Sequence, residues 1–246
     1  MKKRILSILL LCCMVLTLLP TTVLAADGPM DTIPKYDVSI DVYNRTSDIS
    51  IKDSRSYYIY SSVPDKLRDT WAWDKKIFIK GDKAAPHVFI DGVNIEMSPS
   101  SKGPAIELNK KASAYIYFIG KNSSLQGADG RAAIQKNRSE GQLYVLARTG
   151  TTVTCKGGDK AAGIGGSYAT RNIFNGYYNG DMYGHGVNMH FGSRRNPDYW
   201  GGIIAAIGGN GGAGIGGGQG GAGEKLYFYS GTIQATSDRF ASGIGG

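Results

Sequence analysis

The sequence predicts an all-β protein, a parallel β-helix with repeats of about 28–30 residues, and three observations predict it. An isoleucine set among small residues recurs along the chain. A β-branched and aromatic segment follows it at a repeating distance. No stretch beyond the first 26 residues carries a helical period.

The recurring isoleucines are Ile106 in "GPAIEL", Ile134 in "RAAIQK", Ile164 in "AAGIGG", Ile215 in "GAGIGGG" and Ile244 in "ASGIGG", separated by 28, 30, 51 and 29 residues. The first four are followed by "AYIYFIG", "QLYVLA", "VNMHFG" and "KLYFYSGTIQAT". One unit therefore reads as a small-residue corner, a loop, a strand, a turn and a second strand. In a stack of such coils each hydrogen-bonds to the next at about 4.8 Å, like residues lie over like, and the isoleucines form one inward ladder. The surrounding glycines let the chain turn with positive φ and let adjacent coils approach without Cβ clashes. A disordered linker is the alternative for a chain with 36 glycines. A linker, however, has no reason to hold isoleucine at a set distance from "LYFY".

Taken in order, residues 1–26 read as a secretory signal peptide: Lys2, Lys3 and Arg4 precede an apolar run from Ile5 to Leu19, and small residues end it at Ala25-Ala26. Residues 27–44 are expected to be an irregular lead-in that caps the N-terminal end of the stack. Residues 45–246 read as the β-helix, with "DISI", "YYIY", "KIFIKG" and "HVFIDGVNIEM" as its first coils. The sequence stops inside its own repeat at Gly246, so a truncated C-terminus is expected.

Removing the leader takes away three basic residues and lowers the formal charge from +8 to +5. The remaining Lys and Arg are scattered among acids rather than striped along one face, which describes a solvated surface and excludes nucleic acid as the expected partner. No membrane span follows the leader, and the protein is expected outside the cell, secreted or at the cell surface. Cys155 is the one cysteine left in the mature chain, so no internal disulfide forms, and it reads as a small buried hydrophobe. The sequons at Asn44, Asn122 and Asn137 mark polar surface turns. Trp71 and Trp73 share one face of a strand and read as packing.

The interval of 51 residues places two enlarged loops in a single coil. "SYATRNIFNGYYNGDMYGHG" holds Tyr177, Tyr178, Tyr183 and His185, with Asn175, Asn179 and Asp181; "SRRNPDYW" holds Arg194, Arg195, Asp198, Tyr199 and Trp200. Both leave one repeat and are expected to emerge close together. Sugar rings stack their C–H faces on aromatic rings, and their hydroxyls pair with amides, carboxylates and guanidinium groups. The two loops are thus the candidate carbohydrate site, with Tyr177, Tyr178, Tyr183, Tyr199 and Trp200 as stacking residues and His185, Asn179, Asp181, Arg194, Arg195 and Asp198 as polar partners. The alternative is that these aromatics fold back and merely cover the flank of the solenoid.

The progression "IFIKG…HVFIDGVNI…AIEL…AYIYFIGKNSSLQG…GQLYVLARTGTTVTCKGGDKAAGIGG…SGTIQATSD…ASGIGG" resembles the secreted, clostridial-type β-helix proteins with glycine-rich AGIGG repeats that are named carbohydrate-binding domain-containing proteins. The resemblance covers roughly residues 45–246. It implies a right-handed parallel β-helix outside the cell whose partner is a polysaccharide or cell-wall glycan, with calcium in some members. From the residues themselves no cofactor and no catalytic activity are expected. Two other functions remain open: a structural or adhesin-like surface spacer without its own ligand, and a polysaccharide lyase, which needs converging carboxylates and a basic residue.

Overall fold

A computed structural model describes residues 35–98, 103–109, 111–136, 140–168 and 184–246. The leader expected over residues 1–26 lies outside them. Among the described residues no helix is long and apolar enough to cross a membrane. Apart from one 3₁₀ turn, Asp65–Leu67, these residues form strands and their connections.

Among the described residues nineteen strands build three sheets. The first contains β1 (Val38–Asp41), β3 (Ser56–Tyr60), β5 (His87–Asp91), β8 (Ala114–Phe118), β11 (Leu143–Ala147), β14 (Gly186–Phe191) and β17 (Gly223–Phe228). The second contains β2 (Ile49–Ile51), β4 (Ile77–Lys80), β7 (Ile106–Asn109), β10 (Ile134–Gln135), β13 (Ile164–Gly165), β16 (Ile215–Gly216) and β19 (Ile244–Gly245). The third contains β6 (Asn94–Glu96), β9 (Ser123–Gln126), β12 (Thr152–Lys156), β15 (Ile203–Gly208) and β18 (Thr232–Ser237), extended by a bridge from Trp73 to Ile95. Neighbouring strands in each sheet are parallel and come from successive coils. The chain is a parallel β-helix.

The isoleucine ladder is present and longer than the glycine motif foretells. Ile49, Ile77, Ile106, Ile134, Ile164, Ile215 and Ile244 are successive register partners. The first six are at most 2% exposed. In the early coils the corner is Ile-x-Ile or Ile-x-Leu, as in Ile49–Ile51, Ile77–Ile79 and Ile106–Leu108, so both alternate side chains face the core. From β10 onward only two residues pair, and the buried Lys136 follows where a second apolar residue stood before. Its ammonium donates to the Glu140 carbonyl at 3.0 Å. The second sheet thus narrows along the axis.

Glycine is required where it narrows. Gly165 and Gly216 have φ of +132° and +134°, and a Cβ at either would strike the carbonyl oxygen of its partner in the next coil, Gly216 and Gly245 respectively. Polar side chains secure the other corners. Asp48 accepts from Lys76 N at 3.1 Å, Asp91 from Lys121 N at 2.9 Å, Asn94 from Ser124 N at 3.1 Å and Asn122 from Thr152 N at 2.9 Å, each one coil away. Asn122, a sequon residue, is thus a turn residue that ties two coils.

One boundary is corrected. Within the expected irregular lead-in, Val38–Asp41 is a strand in register with Tyr57–Tyr60, and Val42 is fully buried. The alternation Val38, Ile40, Val42 has the period of two that a half-buried strand needs.

Candidate functional site

The two enlarged loops leave opposite ends of β14: one precedes Gly186 and the other follows Phe191. Their bases are therefore separated by the length of β14. Tyr177, Tyr178, Tyr183, Asn175, Asn179 and Asp181 lie outside the described residues. His185 is half-buried, and its Nδ1 accepts from Ala222 N at 3.3 Å and lies 3.6 Å from the Glu224 carboxylate.

The second loop folds back on the first sheet. Thr149 N donates to the Tyr199 carbonyl at 2.9 Å, the Thr149 hydroxyl donates to the Asp198 carbonyl, and Gly201 N donates to Thr149 Oγ1 at 3.1 Å. Trp200 is only 2% exposed, 5.1 Å from the Tyr117 ring centroid, in an outer cluster with Phe89, Tyr115, Ile119 and Leu146. Its role as an open stacking surface is corrected, because the indole is already covered by its own chain. Tyr199 is half-buried and meets Trp200 edge-on at 4.8 Å. Arg194, Arg195 and Asp198 are exposed.

The loop covers one of two aromatic columns on the outer face of the first sheet. The other runs His87, Tyr115, Tyr144, His190, Tyr227, one ring per coil, with centroids 4.6, 4.5, 4.4 and 4.7 Å apart and interplanar angles of 6° to 16°. Rings stacked in this way occupy one another's faces and turn their edges outward. They bind each other before they bind a ligand. The sequence carries part of the signal, since His87, Tyr115, Tyr144 and Tyr227 follow their ladder isoleucines by 9 to 12 residues, whereas the enlarged coil sets His190 26 residues after Ile164.

A concavity of about 680 Å³ lies over the edge of the third sheet. Glu96, Gln126 and Lys156 are register partners along its floor. Asp129, Asp159 and Asn210 each stand three residues beyond the register partners Gln126, Lys156 and Ile207, and all line the groove. Asp238 lies at its C-terminal end, and Thr70 and Ala72 form its N-terminal wall. The half-buried Trp71 lines a smaller recess that continues the groove past these residues. Trp73 is packing, as expected, being 3% exposed with its indole N–H donating to the Arg45 carbonyl at 2.8 Å. The groove residues escape a reading built on aromatics, yet "GADG", "GGDK" and "GGNG" mark one polar turn per coil.

Among the described residues no group of three or more His, Cys, Asp or Glu side chains is placed to hold a metal ion. Cys155 is fully buried, and burial pushes its thiol well above the ordinary range, which makes it a packing residue. Tyr58 is likewise pushed up, by burial and by the Asp91 carboxylate that accepts its hydroxyl at 2.8 Å.

Fold and surface together define a parallel β-helix with an external aromatic column and an axial polar groove. No family model, no curated protein sequence and no solved structure matches this chain.

Proposed function

We propose that the protein is a non-enzymatic carbohydrate-binding β-helix that works outside the cell and holds an extended glycan along the groove over its third sheet. The observation that carries this reading is the repetition of a planar polar side chain, Asp129, Asp159 and Asn210, once per coil along one open groove. A polysaccharide also repeats along its length, and its hydroxyls pair with carboxylate and amide groups that accept and donate in a plane. Trp71 at the N-terminal end adds an apolar surface of the kind that sugar C–H faces prefer.

The test is binding of the mature chain to an array of neutral and acidic plant, host and bacterial glycans, with and without calcium, beside the triple variant Asp129→Ala, Asp159→Ala, Asn210→Ala. Loss of binding with unchanged β-sheet circular dichroism supports the groove. Binding that survives in the triple variant removes it.

The second reading, a surface spacer without its own ligand, is favoured by the way the second loop buries Trp200 instead of presenting it. Its signature is no glycan binding by a folded chain. The lyase alternative places Lys156 and Asp159 in a shared groove. Release of unsaturated products from a uronate polymer would establish it and end the non-enzymatic reading.

A further inference from the structure

We infer that a second, separate site at the junction of the aromatic column and the second loop takes the carboxylate of an acidic sugar. A small recess of about 170 Å³ is lined by Tyr144, His190, Gly192, Ser193, Arg194 and Tyr229. It lies against the outer face of the first sheet, not the third, and shares no lining residue with the groove.

The backbone builds this recess. Gly192, with φ +76°, turns the chain directly after β14, and a Cβ there would strike Ser230. Ser193 N donates to the Ser230 hydroxyl at 3.0 Å, and that hydroxyl donates to the Trp200 carbonyl at 2.8 Å. The Ser193 hydroxyl in turn accepts from Arg195 N at 3.2 Å. Arg194 is thereby delivered over Tyr229, its guanidinium carbon 4.5 Å from the ring centroid. Stacking on a ring orients the plane of the guanidinium while leaving its N–H edges for a ligand.

Among the described residues, neither Arg194 nor Arg195 has a side-chain ion pair, and no acid lines the recess. The other walls are ring edges and an imidazole. Tyr229 and His190 are joined at 2.9 Å between the hydroxyl and Nδ1, which fixes both rings. An outward-facing guanidinium with free N–H edges, seated on the face of Tyr229 beside the edges of the stacked Tyr144 and His190 rings and with no acid lining the recess, selects a planar anion. A carboxylate matches the guanidinium fork with two parallel hydrogen bonds. The attached pyranose would rest against the rings. The recess has room for a single ring, in contrast to the open groove.

The experiment titrates the mature chain with glucuronate, galacturonate, galactose and inorganic phosphate at low and high salt, following the amide signals of Gly192, Ser193 and Tyr229 by NMR. The variants are Arg194→Gln, Arg194→Lys and the groove triple variant. The expected result is saturable binding of a uronate that galactose does not reproduce, weakened at least tenfold in Arg194→Gln and less in Arg194→Lys, and unchanged in the groove variant. Three results overturn the proposal: no uronate binding at millimolar concentration, equal binding of galactose, or unchanged affinity in Arg194→Gln. Phosphate binding as tight as uronate would replace the acidic sugar with a general anion. Because the groove variant is read in the same series, failure of this site and failure of the groove are separable.

Discussion

Ile164 and Ile215 are register partners, one directly above the other, although they stand 51 positions apart in the sequence. Both are fully buried. The added residues thus leave the ladder in register, and the core at this point depends on the two side chains filling one layer. Replacing Ile164 with Ala should cost about 2–5 kcal/mol, from lost transfer energy plus the cavity left behind. The double variant with Ile215→Ala should deviate from additivity, because the two share a boundary. Chemical denaturation of the three variants measures both. A cost near zero for Ile164→Ala would mean that the ladder is not a packed core.

Gly165 and Gly150 separate strain from crowding. Gly165 has φ +132° and no room for a Cβ, whereas Gly150 has φ +83° with nothing within 4 Å. Gly150→Ala should lower stability by about 1 kcal/mol through backbone strain alone. Gly165→Ala adds a collision with the next coil and should cost several times more or prevent folding. Thermal midpoints of the two variants test this, and equal midpoints would contradict it.

Acid should loosen the N-terminal coils. Burial raises the Asp41 carboxyl, but hydrogen bonds from the Ser62 side chain and from Tyr43 N and Ser62 N outweigh it, and the group is held below its ordinary range. The Arg55 side chain, and with it Arg55 N and Tyr57, holds Asp53 low in the same way. A carboxylate whose acidity rises on folding contributes stability that is fully present above its unfolded pKa of about 3.9 and is lost as pH falls through the lower folded value. The thermal midpoint should therefore fall below about pH 4, and Asp41→Asn should flatten part of that fall. Identical pH profiles for the variant and the natural chain would remove Asp41 from the account.

Trp200 distinguishes covering from binding. Trp200→Ala should destabilise the chain by about 3–5 kcal/mol, because it uncovers Tyr117 and Leu146, while leaving glycan affinity intact in the fraction that remains folded. Normal stability with abolished binding would restore the indole as a sugar contact. Trp71→Ala should do the reverse, weakening binding more than folding.

The fold was legible because a solenoid writes its geometry as spacing. Ile106 to Ile244 are pinned by the need to place one apolar side chain per layer, and that need survives insertion. Ile49 and Ile77 lie on the same ladder but lack glycine neighbours, so the motif that reveals the later rungs is silent about them. The strand Val38–Asp41 was hidden for a related reason, since a first rung has no predecessor to be compared with. Sites are harder. Trp200 reads as a binding residue because it is aromatic and lies in an insertion, and only the path of the loop over Tyr117 reveals that its faces are taken. Asp129, Asp159 and Asn210 each sit in a polar turn that the sequence marks, but only the stacking of separate coils brings the three turns into one groove.

The unequal coil lengths give the molecule a mechanical fingerprint. Coils touch only their neighbours, through hydrogen bonds aligned with the axis, so tension along that axis peels them off one at a time instead of shearing a whole sheet. An ordinary coil would pay out about 100 Å of chain. The coil between Ile164 and Ile215 would release about 175 Å in one step. A single molecule pulled from its ends would therefore yield a sawtooth of near-equal teeth interrupted by one long one, marking where in the stack the rupture stands.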